Sequence, residues 1–263
     1  MLRTLLQYLA NAPLITKKLK VAHKYSLLLD EATPEQLDKS LLAWRIFKRE
    51  HGYLRSFVEN KCVDSHGNPI PWYTYPAIEQ LSSWDFRDCD VLEYGSGNST
   101  LWWMERAKSV TSIENSVKWH EYVSMHVNGK CKMLLSPVNM NNDDEKQIAD
   151  YIRCVSRLGT FDVIIIDGVN KPGVRMECAR KALDHLNHGG LFIIDNSDWL
   201  PDSCRMMRDM GFLEIDFKGL APLNVYAEST SLFFKPDFKI KPRNDVHPGY
   251  VIGGLHKYCD KTD

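Results

Sequence analysis

The sequence lacks the features of membrane-spanning, secreted and nucleic-acid-coating proteins. No uninterrupted apolar run approaches the roughly 20 residues of a transmembrane helix. Gln7, Asn11 and Lys17 interrupt the N-terminal stretch where a secretory signal needs its apolar segment. The formal net charge is −1, from 33 basic and 34 acidic residues, so the chain has no basic excess for bulk nucleic-acid binding. We expect a cytoplasmic protein.

The chain also lacks any Cys-x-x-Cys pair. Its seven cysteines are odd in number and scattered along the sequence. A disulfide framework requires an even set, and the common zinc sites require closely spaced pairs. We therefore expect a reduced, intracellular chain without a structural zinc site.

A glycine turn follows the apolar run at residues 91–92 and precedes helix-forming sequence. Gly95 and Gly97 allow a sharp turn and allow a ligand to approach main-chain N–H groups. Ser96 lies between them, and Ser99 or Thr100 is suited to capping the helix that follows. The pattern predicts a nucleotide-binding first strand and loop.

Two features of this loop argue against a dinucleotide. The dinucleotide fingerprint requires a third glycine where this chain has Thr100, and it does not ask for an acid at Glu93. A carboxylate here suits a positively charged ligand group better than a pyrophosphate. S-adenosylmethionine carries such groups, an ammonium and a sulfonium.

A second acid, Glu114, ends the next predicted strand, 114 − 93 = 21 residues after Glu93. A ribose-binding carboxylate belongs at this position. With these motifs the chain resembles the class I S-adenosylmethionine-dependent methyltransferases over roughly residues 70 to 235. In that family, Glu93, Gly95, Ser96, Gly97, Ser99 and Glu114 would contact the cofactor, and Val138, in the loop at residues 136–139, would lie where adenine is held.

The alternation of elements predicts an α/β fold. We expect a doubly wound, mostly parallel, seven-stranded Rossmann-like sheet whose last strand is antiparallel, as the resemblance implies. Residues 1–66 would form an N-terminal helical extension, in which a helix begins at Thr33 and Pro34. Residues 67–236 would form the S-adenosylmethionine-binding domain, and residues 237–263 an irregular tail.

Polar residues end the fourth and fifth predicted strands. The apolar run at residues 161–166 ends in Asp167, and the run at residues 191–194, which follows a predicted turn at His188, Gly189 and Gly190, ends in Asp195 and Asn196. The carboxyl ends of parallel strands meet at the ligand-binding edge of such sheets. We therefore predict that Asp167 contacts the cofactor and takes part in catalysis.

The separation of these residues, 195 − 167 = 28, resembles the metal-dependent O-methyltransferases of the catechol and caffeoyl-CoA type. That resemblance implies that Asp167, Asp195 and Asn196 hold a divalent ion such as Mg²⁺, which would orient and activate a substrate hydroxyl. It also implies a catalytic base at Lys171. The alternative is that the strand-end acids cap loops and that Asp167 acts without metal.

Two further segments leave alternatives open. Arg175, in the predicted helix after Asp167, either contacts an anionic or hydroxylated substrate or has no specific role. Residues 1–29 are basic with a leucine stripe. This stripe either lies on a membrane surface or, as we favour, packs on the catalytic domain or on the second subunit of a homodimer.

The resemblance predicts methyl transfer from S-adenosylmethionine to the oxygen of a small hydroxylated molecule. One form of this prediction adds Mg²⁺, which would assist the transfer. Three other functions remain open: a nicotinamide-dependent oxidoreductase, which Glu93 and Thr100 disfavour, a catalytically silent ligand-binding or interaction protein, and an N-methyltransferase acting on a macromolecule. The Asn- or Asp-Pro-Pro-aromatic motif that often marks the last class is missing after residue 166.

Overall fold

The computed structural model describes residues 33–142, 144–244 and 251–254. The chain divides into two compact units, Met1–Phe47 and Lys48–Asp263. The basic stretch at residues 1–29 lies outside the described residues, so its membrane and dimer alternatives stay predictions. No helix of the described ranges is both long and apolar enough to cross a membrane.

The described part of the smaller unit begins with helix α1, Pro34–Arg45. The Thr33 hydroxyl accepts from Gln36 N at 3.3 Å, and Thr33 N donates to Gln36 Oε1 at 2.7 Å. This reciprocal capping box and the proline at the first helical position confirm the predicted start. A π-helical turn, Ile46–Glu50, follows in the sequence.

Residues 48–66 belong to the larger unit, whereas the sequence placed the boundary after residue 66. Two hydrogen bonds explain this difference. The hydroxyl of Tyr53, the first residue of helix α2, Tyr53–Glu59, donates to Asn224 O at 2.6 Å. Asn98 Nδ2 donates to Cys62 O at 2.6 Å. These bonds join the segment to the part of the chain that forms the sheet, and the buried Ser56 hydroxyl, which donates to Val63 O at 2.9 Å, holds the segment itself together.

A seven-stranded sheet forms the centre of the larger unit, with the order β3-β2-β1-β4-β5-β7-β6. Strand β7 pairs antiparallel with both β5 and β6, and the other pairs are parallel. This confirms the predicted mostly parallel sheet with an antiparallel last strand. The strands are β1 Asp90–Tyr94, β2 Ser109–Glu114, β3 Cys131–Leu135, β4 Phe161–Ile166, β5 Leu186–Ile194, β6 Leu213–Leu220 and β7 Ala227–Phe234.

Helices connect these strands and bury the sheet. Residues 163–166 of β4 are almost completely buried, as expected for a parallel strand covered on both faces. Trp102 and Trp103 are also buried, with ring centroids 4.8 Å apart. The helices are α3 Tyr75–Ser82, α4 Asn98–Arg106, α5 Val117–Ser124, α6 Glu145–Arg153, α7 Val174–Ala182 and α8 Pro201–Asp209, with 3₁₀ turns at Cys154–Arg157, Leu183–His185 and Ser197–Trp199.

Strand β5 differs from its sequence prediction. The predicted turn at residues 188–190 lies inside the strand, as an irregularity between the pairs Phe161↔Leu186 and Val163↔Leu191. Gly189 has φ +78°, a conformation that L side chains rarely adopt. Its carbonyl accepts from Lys239 N at 3.0 Å. Strand β5 thus contains extra residues that form a bulge, and its pairing with β4 resumes at Leu191.

The described start of the C-terminal tail also contacts this unit. Asp85 N donates to Lys241 O, and Arg243 N donates to Ser83 O, both at 2.8 Å. Between them, Trp84 and Pro242 form an isolated antiparallel bridge. Residues 241–243 of the predicted tail are therefore paired with the segment after α3.

We expect Gly189→Ala to destabilise the larger unit. Its Cβ would lie 2.8 Å from Asp237 O at a backbone φ that alanine adopts only under strain. Such strain costs about 1–3 kcal/mol in the free energy of unfolding, measured by chemical denaturation. The control is Gly159→Ala, whose Cβ would meet no atom within 4 Å. Equal stability of the two variants would contradict a strained bulge at Gly189.

Candidate active site

A cleft of about 330 Å³ opens at the carboxyl edge of the sheet, where β1, β2 and β4 end. In doubly wound sheets this edge binds ligands where the strand order reverses. Four of the predicted cofactor-binding residues line the cleft, and the other seven lining residues were not predicted. The lining residues are Gly95, Ser96, Glu114, Asn115, Ser116, Trp119, Met140, Asp167, Gly168, Val169 and Asn170.

The glycine turn brings the ends of β1 and β4 together. Gly95 has φ +101°, and a Cβ there would lie 3.1 Å from Asp167 O. Gly95 N donates to Ile113 O at 2.8 Å, which also joins the turn to β2. Gly97 N donates to the Thr100 hydroxyl at 3.1 Å and precedes helix α4 as its N-cap. Gly95 therefore permits the close approach of the backbone at Asp167, and the approach of a ligand to the N–H groups of the turn stays a prediction.

Glu93, in strand β1, is hydrogen-bonded to helix α4, which follows this turn. Its side chain is fully buried, and its Oε2 accepts from the Thr100 hydroxyl at 2.6 Å. Burial raises the pKa of Glu93 to about 8, although the hydroxyls of Ser99 and Thr100 oppose the rise. Its carboxyl is therefore mostly neutral near pH 7 without a ligand. Glu93, Gly97 and Ser99 are not among the residues that line the cleft.

Glu114 presents its carboxylate to the cleft from the end of β2. Its Oε2 accepts from the Ser96 hydroxyl at 2.5 Å, and its Oε1 accepts from Ser116 N at 2.7 Å. A carboxylate has about four acceptor positions, so further donors can still bind. The Ser96 contact joins the two motifs that the sequence had linked only by spacing.

The wall beyond Glu114 differs from the prediction. Val138 is buried in the hydrophobic core and does not line the cleft, whereas Met140, from the same connection, does. Trp119, exposed at the start of α5, also lines it. A tryptophan shortly after Glu114, the acid that ends the second predicted strand, was the available sequence signal for this residue.

Asp167 lies on the opposite wall, after β4. Its side chain is 24% exposed, and burial raises its pKa to about 6. The Arg175 guanidinium opposes this rise, and the negative charge of Glu114 adds to it. Asp167 is therefore mostly ionised at neutral pH and faces the cleft with a negative charge.

Arg175 holds the loops after β4 and β5 together. Its guanidinium donates to three backbone carbonyls, those of Gly168 at 3.0 Å, Asp195 at 3.1 Å and Asp167 at 3.2 Å. It also donates to Asn196 Oδ1 at 3.0 Å and Asp167 Oδ1 at 3.4 Å. The residue is only 7% exposed. The sequence left open either a substrate contact or no specific role for Arg175, whereas its contacts in the structure are internal and structural.

The predicted metal ligands do not fit a divalent ion. Asp167 Oδ1 and Asn196 Oδ1 both accept from the cationic Arg175, which would repel a metal placed between them. Asp195 Oδ1 instead accepts from the Thr230 hydroxyl at 2.7 Å, and burial raises the pKa of Asp195 well above its usual range. Within residues 33–142, 144–244 and 251–254, no cluster of three His, Cys, Asp or Glu side chains is arranged to hold a metal.

Lys171 lies next to a residue of the cleft wall, Asn170. Its ammonium donates to the carbonyl of Asn142, in the connection after β3. The contact joins the loop after β4 to the connection after β3. The role of Lys171 as a catalytic base stays a prediction.

We expect Glu93→Gln to reduce the loss of stability that accompanies rising pH. The unfolded chain ionises Glu93 near its ordinary value of 4.5, whereas the folded chain does so at about 8. Between these values unfolding releases a proton, so stability falls as pH rises. Glutamine is neutral in both states. The fall in the free energy of unfolding between pH 5 and 8 should therefore shrink by about 1 kcal/mol or more, since one pKa unit corresponds to about 1.4 kcal/mol.

The matched control for this measurement is Glu121→Gln, at an exposed position of α5. It should leave the pH dependence of denaturant unfolding as in the wild type. A Glu93→Gln variant with the same pH dependence as Glu121→Gln would show that Glu93 ionises normally in the folded chain.

We expect Arg175→Met to cost about 3 kcal/mol or more, because it leaves three backbone carbonyls without their donor. Arg180→Met, on the exposed face of the same helix, should change stability by no more than about 0.5 kcal/mol. Denaturant unfolding of both variants measures the difference. Comparable, small losses would show that Arg175 is not needed to hold the strand ends.

No protein-family model and no curated protein matches the chain. Solved structures resemble it at low identity. An O-methyltransferase from Bacillus cereus in complex with S-adenosylhomocysteine is 13% identical over 65% of this chain and 86% of that chain, with TM-score 0.48. A methyltransferase from Pyrococcus furiosus is 18% identical over 74% and 98%, with TM-score 0.44. An rRNA methylase from Streptococcus thermophilus is 18% identical over 61% and 96%, with TM-score 0.42. Independently of these likenesses, the strand order and the antiparallel β7 give the chain the Rossmann-like fold of the class I S-adenosylmethionine-dependent methyltransferases.

Proposed function

We propose that the chain binds S-adenosylmethionine in the cleft and transfers its methyl group to the oxygen of a small hydroxylated molecule. The observation that carries the proposal is the Glu114 carboxylate, which Ser96 and Ser116 hold at the edge of the cleft beside the glycine turn. A carboxylate at the end of the second strand is suited to accept hydrogen bonds from the two hydroxyls of a ribose.

The remaining cleft residues suit the other parts of the cofactor. Trp119 and Met140 provide apolar and polarisable surface for the adenine ring. Asp167 provides negative charge near the turn, which favours the ammonium and sulfonium groups. The cleft volume of about 330 Å³ is in the range of small-molecule sites.

The proposed reaction is an in-line displacement at the sulfonium methyl group. The acceptor oxygen forms a bond to the methyl carbon, the carbon–sulfur bond breaks, and its electron pair remains on sulfur as a thioether. Holding the two reactants in line supplies much of the acceleration. The cleft wall that Arg175 fixes would position the acceptor without a metal. The side-chain oxygens that were expected to bind a metal, Asn196 Oδ1 and Asp195 Oδ1, already accept hydrogen bonds from Arg175 and Thr230.

We expect saturable binding of S-adenosylhomocysteine by isothermal titration calorimetry and no binding of NAD. Glu114→Gln should weaken this binding about 10-fold to 100-fold, because an amide cannot accept two charge-assisted hydrogen bonds from the ribose. The titration is repeated with Mg²⁺ and after chelation, and the affinity should be the same in both.

The exposed Glu121→Gln variant controls for changes in overall charge and should bind like the wild type. Binding of NAD in place of S-adenosylhomocysteine would refute the cofactor assignment. Unchanged affinity in Glu114→Gln would remove this residue from the ribose site while leaving the cofactor in place.

A further inference from the structure

A second cavity, of about 280 Å³, lies at the edge of the sheet opposite the cleft. Its walls come from the start and the bulge of β5, from the residues that precede β6 and from those that follow β7. We call it the β5 cavity. The nine residues of β5 separate it from the cleft edge by roughly 25 Å, at about 3.3 Å per residue. The two sites share no lining residue in the described part of the chain, so the β5 cavity is a separate site.

The inner wall of the β5 cavity is apolar. Leu183 and Leu186 pack against the buried core of the larger unit, and Phe212 belongs to that core. Met210 adds a half-exposed thioether side chain. Such a wall favours an apolar group of a ligand, because binding removes the surfaces of both from water. The volume is near the lower limit of small-molecule sites, about 300 Å³, so the ligand has to be small.

Two side chains of opposite charge line the β5 cavity beside this apolar wall. The Lys235 ammonium lies 4.9 Å from the centroid of the Phe212 ring, and Asp184 is exposed in the 3₁₀ turn before β5. Neither Lys235 nor Asp184 forms an ion pair with another of the described residues. A third charged residue, Asp237, does have a partner, since its Oδ2 lies 2.7 Å from His188 Nδ1. A ligand that carries both a carboxylate and an ammonium would therefore pair with Lys235 and with Asp184.

These charges disfavour ligands with a charge of one sign. A carboxylate alone would pair with Lys235 but lie near two acids, Asp184 and Asp237. An ammonium alone would pair with Asp184 but lie near the Lys235 ammonium. A neutral molecule would remove water from both charged groups and leave them without a partner, which is costly. A small zwitterion with an apolar side chain satisfies all parts of the wall.

The bulge of β5 gives the cavity a preformed wall. Gly189 has φ +78°, and its carbonyl accepts from Lys239 N at 3.0 Å. Asn187 Nδ2 donates to Asp162 Oδ1 at 2.8 Å, and Asp162 Oδ2 accepts from Asp90 N at 2.9 Å. The bulge is thereby anchored to β4, to β1 and to the segment after β7. A wall that is already ordered lowers the entropy lost on binding.

We propose that the β5 cavity binds a free α-amino acid with an apolar side chain. The carboxylate of the ligand pairs with Lys235, and its ammonium pairs with Asp184. Its side chain lies on Leu183, Leu186 and Phe212. The ligand is bound without covalent change, and its binding does not depend on methyl transfer.

The test is isothermal titration calorimetry of the full chain with L-leucine, L-methionine and L-phenylalanine. At least one of the three should bind saturably to one site, with a Kd on the order of 0.1–1 mM, as expected for so small a ligand. Absence of saturation with all three up to about 20 mM, well above that range, would overturn the proposal.

Two relatives of L-leucine test the role of the charges. 4-Methylpentanoate lacks the ammonium, and 3-methylbutylamine lacks the carboxylate. Each should bind about 10-fold more weakly than L-leucine, because each has lost one charged hydrogen-bonding group. The corresponding pairs for phenylalanine are 3-phenylpropanoate and 2-phenylethylamine. Equal affinity of an amino acid and either of its relatives would contradict recognition of a zwitterion.

Variants locate the binding in the β5 cavity. Lys235→Met and Asp184→Asn each remove one charge with little change in side-chain volume, and each should weaken amino-acid binding about 10-fold. Lys181→Met and Asp88→Asn, at exposed positions that do not line the cavity, are the matched controls and should bind like the wild type. The far-UV circular dichroism of all four should match the wild type. Wild-type affinity in both Lys235→Met and Asp184→Asn would overturn the assignment of the site.

S-adenosylhomocysteine separates the β5 cavity from the cleft. Saturation of the cleft with this ligand should leave amino-acid binding in place, because the two sites share no lining residue in the ranges that the structure describes. Displacement of the amino acid would place it in the cofactor cleft and overturn the proposal. If S-adenosylhomocysteine does not bind, the proposed function fails, while the amino-acid titrations and the variants still decide whether the β5 cavity is a ligand site.

Discussion

The guanidinium of Arg175 is the interaction on which the arrangement of the cleft edge depends. Parallel strands end with backbone carbonyls that the sheet no longer satisfies, and buried carbonyls without donors are costly. Arg175 supplies donors to three of them, beyond β4 and β5, and at the same time neutralises part of the charge of Asp167. It also holds Asn196, whose φ of +51° directs the chain after β5. One helix residue thereby fixes both the wall of the cleft and the side-chain amide of Asn196.

The charge at this edge contrasts with the near-neutral chain as a whole. Glu93, Glu114, Asp195 and Glu228 are buried, whereas Arg175 is the one arginine or lysine buried in the ranges that the structure describes. Burial raises the pKa values of Glu93 and Glu228 to about 8 and about 7. The folded chain thus keeps protons that the unfolded chain releases, and this lowers stability as pH rises. A ligand with ammonium and sulfonium groups would add positive charge, favour the ionised carboxylates and so reduce this loss of stability.

The sequence predicted those features that local patterns determine. The bounds of β4 are as expected, because an apolar, β-branched run between turn residues marks a buried strand. Gly95, Glu114 and Asp167 line the cleft because strand ends place residues reliably. The internal role of Arg175 and the side-chain directions of Asp195 and Asn196 were not predictable, since each depends on a partner far along the chain. The position of the buried Glu228 was not predictable either, because the amide of Asn196, one of the two that donate to it, is 32 residues away in the chain.

The difference between the expected metal and the observed guanidinium bears on the chemistry of the site. A divalent ion would lower the pKa of a bound hydroxyl and coordinate it directly. A guanidinium stays charged and donates hydrogen bonds, so it orients acceptor oxygens but neither coordinates them nor takes up a proton. Asp195 is hydrogen-bonded to Thr230, and Asn196 is hydrogen-bonded to both Arg175 and Glu228. The side chains that the sequence assigned to a metal therefore serve to join the strand ends to β7.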